Sequence, residues 1–81
     1  MTAQNELRFT CTPQLLLDED GTFRRAFKFN AIDTDTGKVV YSVNDICSRE
    51  QDARELEELF RRNRVSPRHI IDVLEDWVTY H

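Results

Sequence analysis

The apolar residues of this chain change their period part-way along it, and no other feature limits the fold as much. From Leu7 to Val43 they recur mostly at every second position, whereas from Ala53 to Val78 they recur at intervals of three and four. Alternation marks a strand with one buried face, and the longer interval marks an amphipathic helix. Strands first and helices afterwards describe an α+β fold, with two C-terminal helices packed on one face of an antiparallel sheet.

The first strand carries Leu7, Phe9 and Cys11 on one parity against Arg8 and Thr10 on the other. Pro13 interrupts it. Lacking an amide hydrogen, proline confines the strand to a sheet edge or to a bulge near Thr12-Pro13, and Leu15-Leu16-Leu17 then resumes it. Asp18-Glu19-Asp20-Gly21-Thr22 reads as a tight hairpin turn, since glycine takes positive φ without steric cost. On the return strand Phe23, Phe27, Phe29 and Ala31 share a parity opposite to that of Arg24, Lys28 and Asn30. Arg25 falls on the apolar side and is expected near the hairpin end, where its head reaches water. A second turn cluster over residues 33–38 leads to Val39, Tyr41 and Val43, the apolar parity of a third strand. Two short connections predict a three-stranded meander in the order 1-2-3.

Ser48-Arg49-Glu50-Gln51 reads as a capping box, in which the serine hydroxyl and the glutamine side chain satisfy first-turn amides. The helix it opens is expected to reach about Arg62, with Ala53, Leu56, Leu59 and Phe60 on one side. Glu57→Arg61 and Glu58→Arg62 have the favourable i,i+4 order. The last helix starts at Val65-Ser66-Pro67. Ser66 suits the N-cap, Pro67 the first helical position, and Val65 and Ile70 are spaced as a hydrophobic staple. Ile70, Val73, Leu74, Trp77 and Val78 form its apolar stripe.

With 81 residues the chain is expected to form one small domain, residues 1–6 fraying at its start. Hydrophobic residues make up 40% and charged residues 32%, which separates it from disordered chains. The net charge of -4 argues against a general nucleic-acid or anionic-membrane binder. No apolar run approaches the roughly 20 residues of a membrane span. The opening residues have neither the basic nor the apolar segment of a signal peptide. The expected compartment is the cytoplasm, with Cys11 and Cys47 as free thiols in apolar surroundings.

Residues 65–76, Val-Ser-Pro-Arg-His-Ile-Ile-Asp-Val-Leu-Glu-Asp, resemble the C-terminal signature of a domain-of-unknown-function family of short Firmicute proteins. Those proteins are similar in length and in the order of strands then helices. The resemblance implies a bacterial, cytoplasmic setting and brings no activity with it.

Few residues point to chemistry. His69, Asp72, Asp76 and Tyr80 fall in a narrow angular range on the last helix, and an imidazole with two carboxylates is the raw material of a weak metal site or an acid–base pair. A simpler role for His69 is to cap the first turn. Glu75 and Asp76 stand in the later half of the helix, where the dipole disfavours acids. Arg24, Arg25, Lys28 or Arg64 would offset them internally, and a partner would do so externally. Otherwise they are ordinary solvated acids. Arg61, Arg62, Arg64 and Arg68 form a local basic cluster, the basis of a nucleic-acid reading. No aromatic residues interleave it, and Glu57 and Glu58 lie within reach. There is no C-x-x-C pair, phosphate-binding glycine loop or nucleophile elbow.

The sequence is therefore read as a non-catalytic interaction or accessory protein with no cofactor and no metal, binding a protein partner or forming a homodimer. Val39, Tyr41 and Val43 are the candidate pairing edge, and His69, Asp72, Glu75 and Asp76 the candidate polar site. The alternatives are a nucleic-acid-associated regulator and a metal or catalytic site at His69, Asp72 and Asp76.

Overall fold

The computed structural model describes residues 6–80. The expected fraying of residues 1–6 falls almost wholly outside that range. Three antiparallel strands, β1 (Leu7–Leu17), β2 (Phe23–Asp33) and β3 (Val39–Cys47), form one sheet in the order β1-β2-β3. They are followed by α1 (Glu50–Asn63), a 3-10 turn at Pro67–His69 and α2 (Ile70–Tyr80). The α+β meander with two C-terminal helices is the fold that the change of period predicts.

β1 and β2 pair without a break from Leu7 opposite Asp33 to Leu17 opposite Phe23. Pro13 therefore marks an edge strand and not a bulge. The reason lies in the backbone directions. The Cys11 N–H and C=O both turn to side chains of α1 and away from β2. Amide directions repeat every second residue, so the hydrogen that Pro13 lacks would have faced the same open edge. No ladder bond is lost.

The irregularities fall in β3. Lys28 alone stands opposite residues 44–46, and a second register shift occurs between Ala31 and Ile32. Asp45 takes a left-handed conformation there, with φ 56°. The turns close as their glycines allow. The Gly21 amide (φ 85°) donates to the Asp18 carbonyl at 3.0 Å, and the Gly37 amide (φ 74°) to the Asp33 carbonyl at 2.8 Å.

The core lies between the apolar sheet face and the helices. Cys11, Phe27, Phe29 and Ala31 from the sheet meet Ala53, Leu56 and Phe60 from α1 and Ile70, Leu74 and Trp77 from α2. The Phe60 ring lies 4.8 Å from both the Phe9 and the Phe29 ring centroids.

Several end details differ from the sequence expectation. α1 starts at Glu50 with Arg49 at its N-cap and no side-chain cap bond, so the Ser48/Gln51 box does not form. Ser48 stands one residue too early, and Glu50 and Asp52 instead place negative charge against the N-terminal dipole. In place of the two expected pairs, Arg54 pairs with Glu57 and Arg61 with Glu58 at i,i+3, and Arg54 also lies 3.9 Å from Glu50 at i,i+4. Glu57 is drawn away from Arg61 because its carboxylate reaches β1. Arg64 ends the helix in the left-handed conformation (φ 47°) and returns its N–H to the Phe60 carbonyl.

Ser66 and Pro67 occupy the N-cap and first position as expected, but the Ser66 hydroxyl makes no cap bond. The first turn is 3-10, with the His69 amide donating to the Ser66 carbonyl at 2.9 Å. Val65 and Ile70 both join the core cluster. Val78, counted in the apolar stripe from sequence, is 52% exposed, because the inward direction of α2 is set by Ile70, Leu74 and Trp77.

Candidate functional site

The expected polar site lies open along the 3-10 turn and α2. His69 Nδ1 stands 3.8 Å from Asp72 Oδ2, and both side chains are exposed. Glu75 and Asp76 are exposed and form no ion pair among the described residues. None of the basic residues proposed to offset them does so. Arg24 is engaged elsewhere, and no ion pair involves Arg25, Lys28 or Arg64 among the described residues. No group of three or more His, Cys, Asp or Glu residues among those described is placed to hold a metal ion. Arg61 is taken by Glu58, while Arg62, Arg64 and Arg68 are spread over the helix end and the 3-10 turn.

The two cysteines are free thiols that flank β2 from opposite sides, Cys11 opposite Phe29 and Cys47 opposite Phe27. Two strand spacings put their backbones about 10 Å apart, beyond the span of a disulfide. Burial, helped by the Glu57 carboxylate, pushes the Cys11 thiol up to about 12. Burial also raises Cys47. Above about pH 8.5 an unfolded thiol loses its proton while native Cys11 keeps it. The native state then holds more protons, so stability falls as pH rises through that window towards 12. Thermal melts from pH 8 to 11 are expected to show a steeper loss for the native sequence than for Cys11→Ala. Equal slopes would remove Cys11 as the cause.

A more ordered constellation joins α1 to the open edge of β1. One Glu57 carboxylate oxygen accepts the Cys11 amide at 2.6 Å, and the other takes Arg54 at 2.6 Å. Arg54 also donates to the Cys11 carbonyl at 3.5 Å. Together the two side chains satisfy both outward backbone groups of one edge residue, as a neighbouring strand would.

A second constellation spans the opposite end of the sheet. Arg24 on β2 donates to both Asp45 carboxylate oxygens at 2.9 Å and to Asp18 at 3.3 Å. The Asp45 amide donates to Gln14 of β1 at 2.8 Å. The hydrogen bonds from Arg24 hold the Asp45 carboxyl below the usual carboxylate range. These groups are substantially exposed, so their pairing fixes geometry more than it adds stability.

Beside this network the apolar sheet face runs out from under the helices. Leu15, Leu17 and Phe23 share the face of Cys11, Phe27 and Phe29 by register. The buried three are at most 4% exposed, yet Leu15, Leu17 and Phe23 are 69%, 65% and 69% exposed. The cause is length. Eleven-residue strands reach about 36 Å, while the 14 residues of α1 reach about 21 Å. The residues were legible in the sequence as one alternating set, and a comparison of strand and helix lengths was the signal for their exposure.

Residues 28–80 match the model of a family described as a family of unknown function, DUF6514. The chain belongs to that family. No curated protein and no solved structure matches it. The DUF6514 match starts within β2 and covers β3, both helices and most of the core, including Phe29, Phe60 and Trp77. Leu15, Leu17 and Phe23 lie before it, as does Cys11, whereas Glu57 and Arg54 lie within it. A broad groove over α1, between Glu55, Glu58, Leu59, Arg62 and Trp77 of α2, also lies inside the DUF6514 match. Mixed charges rim it.

Proposed function

We propose that the chain is a small non-catalytic protein-binding module whose contact surface is the uncovered end of the β1–β2 hairpin. One observation carries the reading. Leu15, Leu17 and Phe23 are adjacent, of one parity and each about two-thirds exposed, forming an apolar patch on the order of 400 Å². A monomer's largest patch is of that size and is often functional. The resemblance of residues 65–76 to short Firmicute proteins supports a bacterial, cytoplasmic setting.

The β3 edge at Val39, Tyr41 and Val43 is a lesser surface. Val39 is 55% exposed, but register shifts on both sides leave a short regular stretch for strand pairing. The row His69, Asp72, Glu75 and Asp76 would serve as a polar rim to a contact on α2.

The test is site-specific photo-crosslinking in the native host, with benzoylphenylalanine at Phe23 or, as control, at Arg8, which is exposed on the other sheet face. The expected result is one adduct of defined mass from position 23 that is absent from position 8. It should disappear when Leu17→Ser is added. No adduct from position 23, or equal adducts from both positions, would overturn the reading.

A further inference from the structure

We propose that the occupant of the hairpin end is a second copy of this chain, the two ends stacking face to face about a twofold axis through their Leu17–Phe23 rows. The inference rests on reading this end as a protein contact. It adds the partner, and what names the partner is the placement of charge around the patch.

Leu17 and Phe23 face each other across the hairpin and form the last paired row before the turn. Arg25 lies two residues from that row on the body side, opposite Leu15. Glu19 lies two residues from it on the turn side. Both are exposed, and neither forms an ion pair among the described residues. The neighbouring charges are already committed: Asp18 and Arg24 to each other, and Asp20 to Thr22. A twofold axis through the central row reverses the strand direction in the partner. Each Arg25 then comes opposite the partner copy's Glu19, so the patch complements itself, as an isologous contact requires.

Area sets the strength. With the axis through the Leu17–Phe23 rows, each Leu15 lies over the partner copy's turn, so the stacked ends bury at most about 800 Å² of apolar surface, below the roughly 1,600 Å² of a standard interface. Arg25 and the acidic turn add a polar rim. The result is a weak, reversible dimer and not a permanent one. Sheet edges are not the route: Pro13 and the Glu57 contact occupy that of β1, and the register shifts interrupt that of β3. Face-to-face stacking uses neither.

Sedimentation velocity on the full chain, across the micromolar to millimolar range, reads the outcome. The mass is expected to rise from 9.6 kDa towards twice that value. Phe23→Ser should hold it at the monomer value with an unchanged circular dichroism spectrum, since that side chain is already exposed. Arg25→Glu should raise the dissociation constant about tenfold by setting like charges against each other, and adding Glu19→Arg should restore it. A dimer that survives Phe23→Ser, or a double reversal that fails to recover association, would overturn the proposal. A monomer at all concentrations would do so too. If that monomer still gives a Phe23 adduct of another mass in cells, the hairpin end stands as a contact and only the second copy is lost. If it gives none, both readings fall.

Discussion

Phe60→Ala is expected to lower the stability of this domain by about 3–5 kcal/mol. The native side chain is fully buried and lies between Phe9 and Phe29, so truncation leaves a cavity walled by two rings that the sheet backbone holds in place. For a chain of 81 residues the whole stability is on the order of 4–12 kcal/mol. The variant should therefore be largely unfolded, or shifted to a much lower urea midpoint with an unchanged slope. Phe23→Ala, an aromatic truncation at an exposed position of the sheet face on which Phe60 packs, is the matched control and should change the midpoint little. A similar loss at both positions would mean that the helices do not form the core as described.

The second large effect belongs to Glu57. Its carboxylate accepts the Cys11 amide on the outer edge of β1, and this group has no strand partner on that side. Glu57→Ala is expected to cost about 1.5–3 kcal/mol, the range for a hydrogen bond to a charged group. Glu57→Gln, which keeps an acceptor, should cost less. Hydrogen exchange separates this from a general loss of stability: the Cys11 amide should exchange faster than its β1 neighbours in Glu57→Ala. Removing the carboxylate also removes one of the influences that raise the Cys11 thiol, so Cys11 should alkylate faster at alkaline pH. Unchanged exchange at Cys11 would show that the contact does not protect the edge.

The fold was readable because a single rule governed most of it. Once Leu7, Phe9, Cys11, Phe27 and Phe29 are assigned to one sheet face, the helices have one place to go, and Ala53, Leu56, Phe60, Ile70, Leu74 and Trp77 take the positions their spacing assigns. The misses occurred where two local rules competed. Ser48 matched a cap sequence, but Arg49 holds the N-cap position. Glu57 matched an i,i+4 pair, but a bare amide on a distant strand offered a better partner. No spacing rule could place that contact, because the residues lie 46 apart in sequence. The hairpin end was missed for a different reason. Parity tells which residues share a face, but not how far the cover extends. The polar row His69, Asp72, Glu75 and Asp76 was legible as a pattern, and a pattern on an exposed helix face does not by itself specify what it meets.

The state of the sheet margins bears on how this protein behaves when crowded. Proline and a helix carboxylate occupy one margin, and a left-handed aspartate kinks the other. Strand-by-strand growth, the path to fibrils, needs at least one long, straight, unpaired margin. Here neither side offers a long, straight template for a further strand. Margins closed in this way disfavour strand-by-strand growth in a chain that leaves apolar side chains in water.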